Sequence, residues 1–281
     1  MSNEATSTTL NDLYANIVQA ALFTLSENTV IRPLVRNYNM VGTPGLVAQI
    51  PKYAAIAAAG IAEGTDLANT AFTTDPATIT ATENGVLVTL TDLAKEGSAE
   101  DVAAAVGRQI GDGLAKKVDQ DLAGLFSGFS QTVGSGAAEL TVDDFFKAAA
   151  LLRNSQAPGN YVAVIHPYQA YQLKKQLTNA GATMSHNLSE VGNTALRDGF
   201  VGRLAGMDIF ESTVVTGDSA GAFVGAAMSS DALAYMVKRD MRIEEQRDAS
   251  LRATEIVGSM AYGVGELFDL YGVGLVGDAQ L

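Results

Sequence analysis

Seven apolar residues recur at every fourth position: Val102, Val106, Ile110, Leu114, Val118, Leu122 and Phe126. On a helix of 3.6 residues per turn a strict four-residue row drifts by about 40° per step, so this stripe winds around the axis. Such a helix cannot bury its stripe against one flat partner; several elements must cover it in turn. Ser98 and Asp101 stand at capping-box spacing, and Glu100 also favours a helix start. The pattern predicts a helix over 98–126, on the order of 40 Å long at about 1.5 Å per residue. Ala103, Gly107, Gly111 and Ala115 form a second four-residue row, of small residues. Glycine costs about 1 kcal/mol in a helix interior, so two at this spacing predict a close backbone approach. The chain is organised on a long structural spine.

A chain of 281 residues can form one large domain or two modest ones around a real core. With 47 % hydrophobic and 17 % charged residues it reads as neither disordered nor a charged coiled coil. Its 18 Lys plus Arg against 31 Asp plus Glu give −13, without the basic footprint of a nucleic-acid binder. That charge favours solubility and repels anionic surfaces. The lack of cysteine excludes disulfides, thiolate metal sites and a Cys nucleophile. No run reaches the roughly 18 apolar residues of a membrane span. The first basic residue is Arg32, so no positive n-region marks a signal peptide. The expectation is a soluble cytoplasmic product.

Along the chain, Thr9 and Asp12 have capping-box spacing ahead of a helical stripe, Leu10 to Leu25. Val30–Tyr38, with Pro33 inside it, reads as irregular or extended, and Gly42–Pro51 as a break. Six of the ten residues Tyr53–Ala62 are alanine, and Glu63–Asp75 is rich in Thr, Gly, Asn and Asp. These stretches offer little to a core, which places them on a projecting loop or arm. Ala77, Ile79 and Ala81, then Val86, Val88 and Leu90, alternate around Asn84-Gly85, the signature of a two-residue hairpin turn. Ser127–Ala138 reads as a Gly/Ser linker. Thr141 and Asp144 cap a helix that Ala157-Pro158-Gly159 stops. Tyr161–Ile165 reads as a buried strand, and His166-Pro167 opens a helix to Leu177. Asn179–Gly199 reads as a loop, and Met207–Val215 and Ala222–Met228 as strands. From Leu233 onward the chain is strand-rich, with Ile243, Ile256, Val257 and Val264 as candidate core residues.

Chemical motifs are present but incomplete. Gly217-Asp218-Ser219-Ala220-Gly221 fits G-x-S-x-G, yet a nucleophile elbow needs a helix after it and a histidine later in the chain. Here a strand pattern follows, and His166 and His186 both precede it. The order His, Asp, Ser remains formally open through Asp198 or Asp208, but that protease fold is built of β-barrels. Gly272 to Gly277 fits G-x-G-x-x-G with neither a helix nor an acidic residue at the right distance after it. The two histidines lack metal-ligand spacing, and His166 reads as a helix-start residue before Pro167. Asp143/Asp144 and Glu100/Asp101 suit helix starts. Glu244/Glu245 belong to the mixed-charge run Lys238–Asp248, a solvated face or a subunit contact. The expected sets of catalytic, cofactor-binding and metal-binding residues are therefore empty.

In joint order these elements resemble the tailed-bacteriophage major capsid protein family, with its Hong Kong ninety-seven-type fold. The likeness is carried by Val30-Ile31-Arg32-Pro33-Leu34-Val35, an arm segment, and by Thr89-Leu90-Thr91-Asp92 before the spine. Ala148-Ala149-Ala150-Leu151-Leu152-Arg153, Ala157-Pro158 and Val164-Ile165-His166-Pro167 are similar to the family's axial domain. Gly206 to Ser212 and Tyr262-Gly263-Val264 resemble its later strands. The resemblance implies an α+β fold with an N-terminal arm over 1–45 and an extended loop over 46–78. It also implies a peripheral domain over 79–140 and 235–281, and an axial domain over 141–234. By the same likeness the subunits form hexamers and pentamers of an icosahedral shell around packaged DNA, without sequence-specific contacts and without a membrane. A portal and decoration proteins are the family's partners. A helix within ten residues of Met1 leads to the expectation of a separate scaffolding protein. The loop lysine that some members cross-link to a neighbour's asparagine is not carried over, because Lys52 sits at the loop's base. Two alternatives are an encapsulin-like nanocompartment shell, against which the extended loop argues, and a serine hydrolase acting through Ser219.

Overall fold

The computed structural model describes Ala21, Thr24 and residues 29–53, 71–93, 102–183, 202–217 and 221–279, with 56, 58, 60, 63, 64, 66 and 69 between. Most of the N-terminal helix, the Ser98/Asp101 cap, the stretch 184–199 with His186, and Ser219 lie outside the described residues.

The spine is helix α1, Val102–Gly124, which tightens into a 3-10 turn, Leu125–Gly128. The row from Val106 to Phe126 is buried throughout, and its partners change along its length as the drift requires. Strand β11 (Ala253–Glu266) covers the middle: a Cβ on Gly258 would stand 2.3 Å from Ile110 Cγ2. At Gly111 the small-residue row meets Ala21, for a Cβ there would lie 2.5 Å from the Ala21 carbonyl oxygen. The predicted close approach is therefore present at Gly111.

The described strands form three sheets. The first has the order β1-β10-β11-β4, built from β1 (Arg36–Asn39), β4 (Thr82–Thr91), β10 (Leu233–Asp248) and β11. The second has the order β5-β12-β9-β6-β8-β7, with β5 Thr132–Ser135, β6 Tyr161–Ile165, β7 Arg203–Leu204, β8 Met207–Glu211, β9 Ala222–Ser229 and β12 Gly272–Asp278. Helices α2 (Val142–Asn154) and α3 (Pro167–Thr183) bury Phe145, Leu152 and Leu173 with Ala163, Ile165 and Leu275 on one of its faces. Val164 and Met228 point the other way, toward Phe126 and Phe129, so the strand alternation gives each face its own core. The third sheet is a ribbon of β2 (Val47–Tyr53) and β3 (Thr74–Thr80).

Four expectations need correction. Asn84-Gly85 makes no turn: β4 runs straight through it, Gly85 pairing with Ser259, while β3 pairs with β2 instead. Gly85 serves close approach, since a Cβ there would lie 3.1 Å from the Gly258 carbonyl oxygen. The Gly/Ser linker contains β5, parallel to β12, and at Gly134 a positive φ of 88° lets the chain pass Val276. The break at Gly42–Pro51 gives way to β2 at Val47, because Pro51 sits where its missing N–H would point out of the ribbon. Helix α3 runs on to Thr183 rather than stopping at Leu177. Val30–Tyr38 resolves into a 3-10 turn, Arg32–Leu34, followed by β1.

Candidate assembly surface

The ribbon β2–β3 stands out because it offers its own subunit so little. Only its base is buried: Ala77, Ile79 and Ala81 pack with Ala234, Met236 and Leu267. Ile79 fills the space left by two glycines of β11, where a Cβ on either Gly263 or Gly265 would come within 2.8 Å of it. Farther out, Tyr53 and Phe72 stack with ring centroids 5.3 Å apart, and each is 61 % exposed. Stacked aromatics that remain in water are typical anchors for another protein surface. Lys52 lies 3.9 Å from Asp75 and 5.9 Å from the Phe268 ring centroid. Nearby, burial and then Asp269 raise the Glu266 pKa, and Lys52 opposes the shift.

The segment that leads into the ribbon is fastened to the spine by Asp119, 2 % exposed on α1. Its carboxylate accepts backbone N–H bonds from Val30 at 2.7 Å, Ile31 at 3.2 Å and Arg32 at 3.3 Å. Burial raises its pKa, and the three N–H groups and Arg32 offset that only in part. Arg32 lies 4.9 Å from the Tyr235 ring centroid, and Tyr235 packs on Tyr262 at 5.6 Å. The Tyr262 hydroxyl donates to Asp121 Oδ2 at 2.7 Å, which closes the circuit on α1. Burial and then that bond drive the phenol's pKa far up.

Residues that suggested chemistry have structural work. His166 caps α3: its Nδ1 accepts from the Tyr168 N–H at 3.2 Å and its own N–H donates to Gln169 Oε1 at 3.2 Å. The ring stacks on Phe223 at 4.0 Å, and burial lowers its pKa. Phe223 bridges to Gly217, so His166 and the G-x-S-x-G segment do share a neighbourhood. An Nδ1 that accepts carries no proton, so it cannot donate to the orienting carboxylate that a serine triad requires. Asp208 lies on β8, in register with Val162 at the opposite end of β6 from His166, and is 3.5 Å from Arg203. Gly272 to Gly277 form β12, not a phosphate loop. Asp144 is half of the capping box with Thr141 that the spacing predicted. The charged run of β10 makes ion pairs, Arg242 with Glu244 at 2.9 Å and Arg239 with Glu83. Among the described residues no three His, Cys, Asp or Glu side chains gather into a metal site.

Asp119, Tyr235 and Gln169 escaped the sequence reading, and Tyr262 entered it only as part of a strand. Gln169 is fully buried and donates through Nε2 to the carbonyls of Phe223, at 2.9 Å, and Gly277, at 3.4 Å. The one signal available was a carboxylate directly after Val118 on the buried side of the stripe.

The family model of phage capsid proteins matches residues 74–273. None of the curated proteins matches the chain. Among solved structures, the capsid of cyanophage P-SCSP1u is similar over 90 % of this chain and 89 % of its own, with 21 % identity and a TM-score of 0.71. A structure from Mycobacterium phage Che8 covers 88 % and 90 %, also with 21 % identity and a TM-score of 0.71. The capsid of Helicobacter pylori bacteriophage KHP30 covers 87 % and 88 %, with 14 % identity and a TM-score of 0.68.

Proposed function

This chain belongs to the phage capsid protein family, and from that membership we propose that it is the major capsid protein of a tailed phage, assembling as hexamers and pentamers of an icosahedral head. The head encloses DNA without reading its sequence, and a net charge of −13 suits a wall that repels phosphate rather than gripping it. The reading gives the subunit no catalytic role, and it is supported by His166 capping α3 through the nitrogen that a triad would need protonated. Assembly in the host cytoplasm, on a separate scaffolding protein and with a portal and decoration proteins, completes the reading. In this reading the ribbon belongs to the extended loop of 46–78, α1 and most of the first sheet to the peripheral domain of 79–140 and 235–281, and α2, α3 and β6 to β9 to the axial domain of 141–234, whose sheet β5 and β12 extend from the peripheral segments.

The ribbon carries this reading. A two-stranded ribbon is marginal alone, and this one holds Tyr53 and Phe72 in solvent. It gains its missing burial by lying across a neighbouring copy. Replacing 54–73 with a short Gly/Ser linker tests this. The expected result is a subunit with native circular dichroism and a cooperative melt that no longer closes stable shells. An unfolded deletion variant, or shells of unchanged stability, overturns it.

A further inference from the structure

Pro51 and Pro76 face each other directly across the ribbon, in the register Ile50↔Ala77, Pro51↔Pro76, Lys52↔Asp75. Neither residue has an N–H, so this pair cannot be one of the hydrogen-bonded pairs of an antiparallel ladder. It must be a wide pair, whose N–H positions point away from the partner strand and out of the two edges. The Ala81 N–H donating to the Leu46 carbonyl at 2.8 Å agrees: 46/81, 48/79, 50/77 and 52/75 are the bonded pairs. The outward donors of β2 are then Val47, Gln49 and Tyr53, and those of β3 are Thr74, Thr78 and Thr80. Proline removes one of the two inner donors from each edge. Among the described residues neither β2 nor β3 has another strand beside it.

Beyond its base, where the Thr80 carbonyl packs against Gly263, such a ribbon is a template for adding strands from other chains, and proline on an edge is one way to stop that. We infer that Pro51 and Pro76 act as a matched pair of edge blocks that keeps the ribbons of separate copies from joining strand to strand. Placed opposite each other, they interrupt both edges without removing one bond from the ribbon's own ladder. What the ribbon can present to another copy is its outward face, where Pro51, Pro76 and Tyr53 lie on one side. Only that last statement rests on the assembly proposed above; the blockade concerns the free subunit.

Valine at these positions restores the donors one edge at a time. With Pro51→Val or Pro76→Val one edge opens, and sedimentation velocity of the full chain is expected to gain a discrete dimer. With both replaced, two edges open per subunit, and thioflavin-positive, open-ended polymers distinct from shells are expected. Gln49→Pro and Ile50→Pro test the register independently. The first removes another outward donor and is expected to leave the melt unchanged, whereas the second breaks a ladder bond and lowers it. Valine variants that fold and give the same distribution of species as the parent overturn the inference, as does equal tolerance of proline at 49 and 50. Failure of the parent to form shells would leave all these comparisons intact.

Discussion

Asp119 Oδ2 accepts the backbone N–H of Val30 at 2.7 Å, across 89 residues of sequence, and so fixes the start of the turn Arg32–Leu34 to the C-terminal half of α1. The same carboxylate serves Ile31 and Arg32, which makes it a remote cap for the 3-10 turn Arg32–Leu34. A buried N–H left without a partner costs about 1–3 kcal/mol. Asp119→Ala orphans three, so a loss of at least about 2 kcal/mol in chemical denaturation is expected. Amide exchange should quicken at 30–36 before the rest of the chain. Unchanged stability, or uniform rather than local acceleration, would contradict the capping role.

Gly111 gives a test with opposed terms. Alanine is better than glycine in a helix interior by about 1 kcal/mol. Its Cβ would stand 2.5 Å from the Ala21 carbonyl oxygen, and backbone cannot give way as a flexible side chain can. Overpacking typically costs about 1–3 kcal/mol, so Gly111→Ala is expected to be destabilising on balance, and Gly111→Leu more so. A Gly111→Ala protein that melts higher than the parent would mean that the Ala21 carbonyl does not press on this face.

The spine and the α2 cap were legible because their signals are local. The four-residue row needs nothing but its own spacing, and the Thr141/Asp144 box closes within one turn. The Asn84-Gly85 turn was misread because a hairpin and two strands with separate partners have the same alternation. Only the pairing of β3 with β2 and of β4 with β11 distinguishes them. β5 was hidden in Thr132–Ser135 because an edge strand of four residues with a glycine at φ 88° carries almost no pattern. Asp119 was invisible for a different reason. Its partners are backbone groups of residues 30 to 32, and backbone leaves no trace in side-chain spacing.

The Asp144 carboxyl gives a pH prediction. Burial alone pushes its pKa up, but the Thr141 hydroxyl and N–H, with Lys147, bring it below 3.8 overall. A depressed native pKa stabilises above the unfolded value and loses its effect as pH falls through the native one. Thr141→Ala, expected to cost about 1 kcal/mol near neutrality, should therefore differ less from the parent once the pH drops through 3.8 and below. A gap that widens in acid would reverse the sign and the explanation.

Ser219 separates a structural subunit from a hydrolase. Ser219→Ala should leave assembly unchanged, and a fluorophosphonate probe should not label the parent protein. Stoichiometric labelling at Ser219 would show a nucleophile that the capping role of His166 does not explain.

Sedimentation velocity paired with negative-stain microscopy of the full chain, at micromolar concentration across a range of salt and with and without the proposed scaffolding protein, tests the central claim most directly. A capsid subunit whose ribbon needs a neighbour should appear as shells, capsomers or tubes. A single stable species near 29.2 kDa under every condition would contradict it.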